Sequence, residues 1–451
     1  MAMPLDGRFI GIKANILTKT SVVPSTASSK TLADYHPPFH ATVVKHLIAN
    51  GANVLPNANM DEFGMGSHSQ YSHFGPVQSP FKRDGVPLSP GGSSGGSAAW
   101  VASKLCWVAL GTDTGGSVRL PAAYMGQVGF KPSYGRLSRW GVIQYANSLD
   151  TVGILAGKSA DARALYRCLD HFDEQDPTSL PLSLRDRIKT NTSRRDPSRL
   201  RIGIPLEYNI HELSPAVQST YTSTLHALQS AGHTLHPVSL PSTRRALSAY
   251  YILAPAEASS NLAKYDGVRY GHRTSPSDAS PNSTPPLPLY AQTRSEGFGE
   301  EVKRRILLGA YTLNSEAIDN YFIQAQKIRR LVQKDFDRVF ALSNPLLDTD
   351  EVSAEGAEVD VLLTPTAPTL PPTVEELKRQ SAVESYTNDV FTVPASLAGL
   401  PAISVSVPLS AELLAGMEET DVRSAGMQII GQFGDDEMVL EAAEVVEKLR
   451  S

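Results

Sequence analysis

Short apolar runs alternate along this chain with longer stretches whose apolar residues recur at helical spacing, which predicts strands and helices taking turns. Phe9 to Ile12 reads as a buried strand, Thr42 to Ala49 as a helix halted by Gly51, and Ala52 to Leu55 as the next strand. The alternation continues with a helical stretch from Ala98 to Leu105, an apolar run from Cys106 to Leu110, and a second helical segment after Gly115 and Gly116. A polar connection, Thr190 to Arg199, leads into a strand at Leu200 to Pro205. Ser214 as N-cap, Pro215 in the first turn, apolar Val217, Tyr221, Leu225 and Leu228, and a stop at Gly232 mark another helix, with a strand at Thr234 to Leu240 behind it. Gly299 to Phe340 is strongly helical, and Val359 to Thr364, Ala402 to Val407 and Met427 to Ile430 read as further strands. The amphipathic stretch Asp436 to Arg450 predicts a terminal helix packed on the core. The expected class is α/β.

Two stretches break the pattern. Ser275 to Pro288 holds five prolines, which excludes an interior helix or strand and predicts a surface insertion. Asp348 to Glu358 is an acidic loop.

Composition narrows the function classes. Of the 451 residues 41% are apolar and 19% charged, which fits an extensive buried interior and excludes a charged, disordered tail protein. The formal charge of -5 provides no global basic field for a nucleic acid, so an RNA contact would need a local patch or a partner. Cys106 and Cys168 lie in apolar stretches without metal or disulfide spacing, as expected in a reducing compartment. The longest apolar candidate, Ala98 to Leu110, is interrupted by Ser103 and Lys104 and is not a membrane span. The first eight residues carry neither a signal-peptide core nor a transit-peptide pattern.

Chemistry concentrates in two Gly/Ser loops, Gly91-Gly92-Ser93-Ser94-Gly95-Gly96-Ser97 and Gly111-Thr112-Asp113-Thr114-Gly115-Gly116-Ser117, which flank one helix-strand unit. Glycines let backbone N–H groups close on an oxyanion or a phosphate, although either loop alone could be a simple turn. Gly92 to Gly96 also satisfies the G-x-S-x-G nucleophile elbow, but that site needs a downstream histidine, and the last one, His272, sits beside the proline-rich stretch. Gly153 to Ser159 imitates a nucleotide phosphate loop with one residue too few between its glycines. No H-E-x-x-H occurs, and His36, His40 and His46 have no companion at a metal-ligand spacing. A serine without a histidine needs another base. Lys13, at the end of the first apolar run, can serve if burial keeps it neutral, the alternative being a strand-end lysine that reaches solvent.

The Lys13 strand, GGSSGGSAA at 91–99 and GTDTGGSVRLPA at 111–122 together resemble the amidase signature family. The resemblance implies a single amidase domain over 1–451, with a large mixed β-sheet core covered by helices on both faces. It implies a Ser-Ser-Lys triad: Ser117 attacks the amide carbonyl, Ser93, joined by a cis peptide, relays the proton, and neutral Lys13 is the final base. Ser117 stands 24 positions after Ser93, as in the family. Backbone N–H groups of Thr114, Gly115, Gly116 and Ser117 would form the oxyanion hole at the start of a helix. Three features depart from the family: Ala14 stands where an aspartate usually follows the lysine, the loop from Lys13 to Ser93 is longer than in bacterial relatives, and the helical segment that usually precedes the lysine strand is missing, which suggests a truncated gene model.

Within the family, Tyr250-Tyr251, Asp266 to Gly271, Arg294 to Gly299, Val302 to Arg305 and Asn388-Asp389 look like the glutamine-hydrolysing A-type subunits of glutamyl-tRNA(Gln) amidotransferases, of fungal mitochondrial type. Glutamine carries an α-carboxylate and an α-ammonium, so its pocket needs a cation, an anion and a polar wall, and the resemblance assigns Arg305, Asp389 and Tyr250. Without it, Arg305 reads as a solvated arginine of a basic helix cluster. The resemblance further implies a mitochondrial location, a B subunit, a small C-type or fungal-type third subunit, and Glu-tRNA(Gln) reached through the complex. It implies no cofactor in this chain, with ATP and Mg on the B subunit, and poor glutamine turnover by the chain alone. The competing functions are a broad-specificity amidase and an inactive assembly subunit.

Overall fold

The computed structural model describes residues 3–192, 196–274, 289–347 and 358–449. Their centre is a ten-stranded mixed sheet, in spatial order Asn53–Ala58, Phe9–Lys13, Val108–Asp113, Thr151–Ala156, Val128–Lys131, Ala402–Pro408, Ser424–Ile430, Val361–Pro365, Arg201–Pro205 and Thr234–Val238. The first three and the last three strands run parallel within each group, and antiparallel pairings join them through the middle.

Successive residues of a strand face opposite sides, and the side chains divide accordingly. Ile10, Ile12, Val108, Leu110, Ile154, Val361, Leu363 and Ile403 join one core with the helices Thr42–Ala49, Ser159–Leu169, Pro215–Ser230 and Asp436–Lys448. Ala109, Leu155, Leu362, Ala402 and Ile430 face the other side, covered by Gly95–Ala102, Ala246–Asn261, Glu300–Thr312, Phe322–Val339 and Val393–Ala398. Gly11 and Lys13 alternate with Ile10 and Ile12 and so face this second side, where both Gly/Ser loops lie. Nearly every strand residue in the middle of the sheet is buried, which is why Cys106 to Leu110 and Val359 to Thr364 read as apolar runs.

Several boundaries differ from the sequence reading, and two strands, Val128–Lys131 and Thr151–Ala156, stand where it marks none. The helix expected over Ala98 to Leu105 spans Gly95–Ala102, because its first turn is fixed by tertiary contact: the Gly95 N–H donates to Ser69 Oγ, and Gly96 lies so close to the Asn59 carbonyl that no side chain fits. Ser214 occupies its cap position with extended backbone, but its hydroxyl makes no cap bond. The helical stretch 299–340 divides into Glu300–Thr312 and Phe322–Val339. The proline-rich stretch 275–288 and nearly all of the acidic loop 348–358 lie outside the described residues.

Candidate active site

Lys13 is completely buried where its strand ends. Its Nζ donates to Ser93 Oγ at 2.7 Å, Ser94 Oγ at 2.8 Å and Thr112 Oγ1 at 2.9 Å, so three hydroxyls from the two Gly/Ser loops replace its water shell. A lysine reaching solvent is therefore excluded. Burial pushes its pKa down to about 7, against the pull of Asp61, Asp113 and Asp150. The Gly92–Ser93 peptide is cis. Ser117 is half-buried at the turn before the short helix Arg119–Tyr124, two residues earlier than a helix opening, and its carbonyl accepts from the Ser94 N–H at 3.1 Å. That bond places the loop of Ser117 directly against the loop of Ser93 and Lys13.

Buried charge holds the second loop in shape. Arg119 binds Asp113 through Nε at 3.0 Å and Nη2 at 2.9 Å, and its other donors reach the Thr392 carbonyl, Gln428 and Ser396. Burial works against the Asp113 carboxylate, yet Arg119 and the Val118 N–H keep its pKa below the ordinary value. Asp150 accepts from the Thr114 hydroxyl at 2.8 Å and from the N–H groups of Tyr145 and Ala146. Gly116, at φ +152°, has no space for a side chain, since a Cβ would stand 2.3 Å from Thr392 Oγ1. The backbone of this loop can thus present its N–H groups toward a bound oxyanion.

The three substrate-binding candidates come together beside it. Tyr250 packs its ring against Gly115, and Asp389 lies next to Gly116. Asp389 is buried, accepts from Ser67 Oγ at 2.8 Å and Tyr251 Oη at 3.1 Å, and has its pKa pushed up to about 6 by burial. Arg305 is buried too, so it is no solvated cluster arginine. Its Nε donates to Glu301 at 2.8 Å and Nη1 to Tyr145 Oη at 2.7 Å, inside a cage that includes the rings of Tyr251 and Tyr386. Burial opposes its charge, but these neighbours raise its pKa. A cation and an anion thus gather about the same tyrosines beside Gly115 and Gly116.

Ser67, Tyr145 and Asp61 also belong to the site and escape the sequence reading, while Ser94, Thr112, Asp113 and Tyr251 stand in its motifs without a role. Tyr145 adjoins no motif, and Asp61 and Ser67 are short polar residues outside helices and strands, where periodicity carries no signal. Asn15 Nδ2 donates to Thr112 Oγ1 at 3.1 Å, so the residue after Ala14 supports the hydroxyl that holds Lys13. The competing motifs resolve physically. The Ser159 N–H, which a phosphate loop would offer to its ligand, donates to the Glu447 carboxylate. Ser94, the elbow serine, is held by Lys13 and donates to the Thr112 carbonyl. His272 lies instead on a cavity of about 1070 Å³ that reaches Asp150 but is lined by none of Lys13, Ser93 and Ser117. Among the described residues no cluster of three His, Cys, Asp or Glu side chains could hold a metal.

Comparison with known proteins identifies relatives along nearly the whole chain. The sequence pattern of the family described as Amidase matches residues 2–440. The chain is 55% identical over 472 residues to the mitochondrial A-type subunit of the glutamyl-tRNA(Gln) amidotransferase of Ajellomyces capsulatus, covering 98% of this chain and 89% of that one. It is 56% identical over 460 residues to the same-named protein of Emericella nidulans, with the same two coverages. The crystal structure of the A-type glutamyl-tRNA(Gln) amidotransferase subunit from Thermotoga maritima superposes with a TM-score of 0.74 at 33% identity, covering 98% of this chain and 83% of that one.

Proposed function

The chain belongs to the amidase family, and from that premise we propose that it hydrolyses glutamine to glutamate as the A-type, mitochondrial subunit of a glutamyl-tRNA(Gln) amidotransferase. The observation that carries the choice of amide is the pairing of buried Arg305 with buried Asp389 across the tyrosines at Gly115 and Gly116. A simple or fatty amide has no use for either charge. Glutamine has one group for each.

In this reading Asp389 receives the α-ammonium and Arg305 the α-carboxylate, through the Nη2 that bonds no described residue, while Tyr250 walls the side chain toward the loop. Ser117 Oγ attacks the amide carbon and its proton passes through Ser93 to neutral Lys13. The N–H groups of Thr114 to Ser117 stabilise the tetrahedral oxyanion. Collapse breaks the C–N bond, Lys13 returns the proton through Ser93 to the departing ammonia, and water, deprotonated by the same pair, releases glutamate from Ser117. The ammonia passes to a B-type partner, where ATP and Mg serve activation of Glu-tRNA(Gln). A small third subunit completes the complex, and glutamine turnover by the lone chain is slow.

Arg305→Ala tests the assignment against a broad-specificity amidase. The expected outcome is a fall in kcat/KM for glutamine of about a hundredfold, from loss of a charge-assisted contact, with hydrolysis of a small uncharged amide retained. An equal loss on both substrates would contradict it.

A further inference from the structure

One segment of the chain touches the Ser93 loop, Asp389 and the Arg305 helix, and the glutamine reading gives no role to its two buried acids, Asp61 and Glu62. Asp61 accepts from the N–H groups of Ser69 and Tyr71 at 2.9 and 3.0 Å, which closes residues 61–71 into a loop. From that loop Ser69 donates to the Gly91 carbonyl and accepts from the Gly95 N–H, gripping the segment that bears Ser93, and Ser67 donates to Asp389. Glu62, the residue after the loop's anchor, points the other way. Its Oε1 accepts from Ser29 Oγ at 2.5 Å, and its Oε2 accepts from the Gly299 N–H at 2.7 Å. Gly299 is the cap of the helix Glu300–Thr312, which carries both Arg305 and its partner Glu301.

Resting on the glutamine reading, we infer that Glu62 is a positioning residue for substrate specificity: it ties the Arg305 helix to the same loop that holds Asp389, and so sets the distance between the two charge-recognising groups. A carboxylate at a helix N-terminus is favoured by the exposed backbone N–H groups there, so the tie also selects which end of the helix is held. Burial pushes the Glu62 carboxyl up to about 7 against the pull of Ser29, Gly299 and Lys303, the mark of an acid kept inside the protein at a cost. The fit is tight. A Cβ on Gly299 would stand 2.4 Å from Glu62 Oε2, so the contact can be disturbed from either side.

The test uses the complex of the full chain with its B-type partner and two variants, Glu62→Gln and Gly299→Ala, with glutamine and propionamide as substrates. Loss of one charge-assisted hydrogen bond in the tie is expected to raise the KM for glutamine by about tenfold. The kcat for glutamine and the kcat/KM for propionamide should stay within about twofold, because the triad is untouched. A glutamine KM unmoved in both variants overturns the inference, and so does an equal loss on both substrates, the result of a merely structural role. Wild-type complex that hydrolyses propionamide but not glutamine overturns the glutamine reading itself and the inference with it. Should Glu62→Gln fail to fold, Gly299→Ala decides alone.

Discussion

Lys13 can take a proton only while it is neutral, and Asp389 can hold an ammonium only while it is charged. Burial pushes the first down to about 7 and the second up to about 6, so raising the pH through this window favours both active forms. The kcat/KM for glutamine is therefore expected to climb between about pH 6 and 7 and to level off above, a profile that steady-state rates across buffers will check. Lys13→Arg should abolish the plateau, since a guanidinium stays protonated throughout. At this scale the sequence is informative where a residue violates its surroundings, as a lysine does at the end of an apolar strand. It is silent about Ser94, Thr112 and Glu62, whose roles come from partners tens to hundreds of positions away.

Elements hold the site through a few close approaches that periodicity cannot show. The helices Ala246–Asn261 and Glu300–Thr312 carry Tyr250 and Arg305, and they meet at Gly309, where a Cβ would stand 2.0 Å from the Pro255 carbonyl. Gly309→Ala must push them apart. Overpacking at such a crossing costs about 1–3 kcal/mol, measurable by urea unfolding, and the glutamine KM should rise with it. Arg119 anchors the catalytic loop in the same way, with both it and Asp113 fully withdrawn from water. Arg119→Ala strands a buried carboxylate, which predicts a loss of about 3–5 kcal/mol in the same unfolding assay. Most inner strands are readable because burial on both faces of the sheet makes each of them a short apolar run. The start of the helix Gly95–Ala102 is not, because two glycines are poor helix formers and only contacts with Asn59 and Ser69 put them in a helix.

In the whole molecule the two faces of the sheet divide the work. One core, with the helices Thr42–Ala49 and Asp436–Lys448, contains none of the site, while the opposite face collects Lys13, both serine loops and the helices of Tyr250 and Arg305. The α/β class is legible from alternation alone. The assembly of the site is not, because parts from residue 13 to residue 389 converge across the sheet, and only the combined resemblance of Lys13 and the two loops to one family places them together. That family membership, the relatives named as A-type amidotransferase subunits and the geometry of a buried lysine on Ser93, its pKa pushed down to about 7, support one central claim, that Ser117 is the nucleophile of a glutaminase. The most direct measurement is glutamate release from glutamine by the chain co-purified with its B-type partner, comparing wild type with Ser117→Ala. The account predicts turnover by the wild type and a loss of at least about a thousandfold in the variant, whose fold and partner binding are kept. Turnover by Ser117→Ala at a rate close to wild type would contradict it.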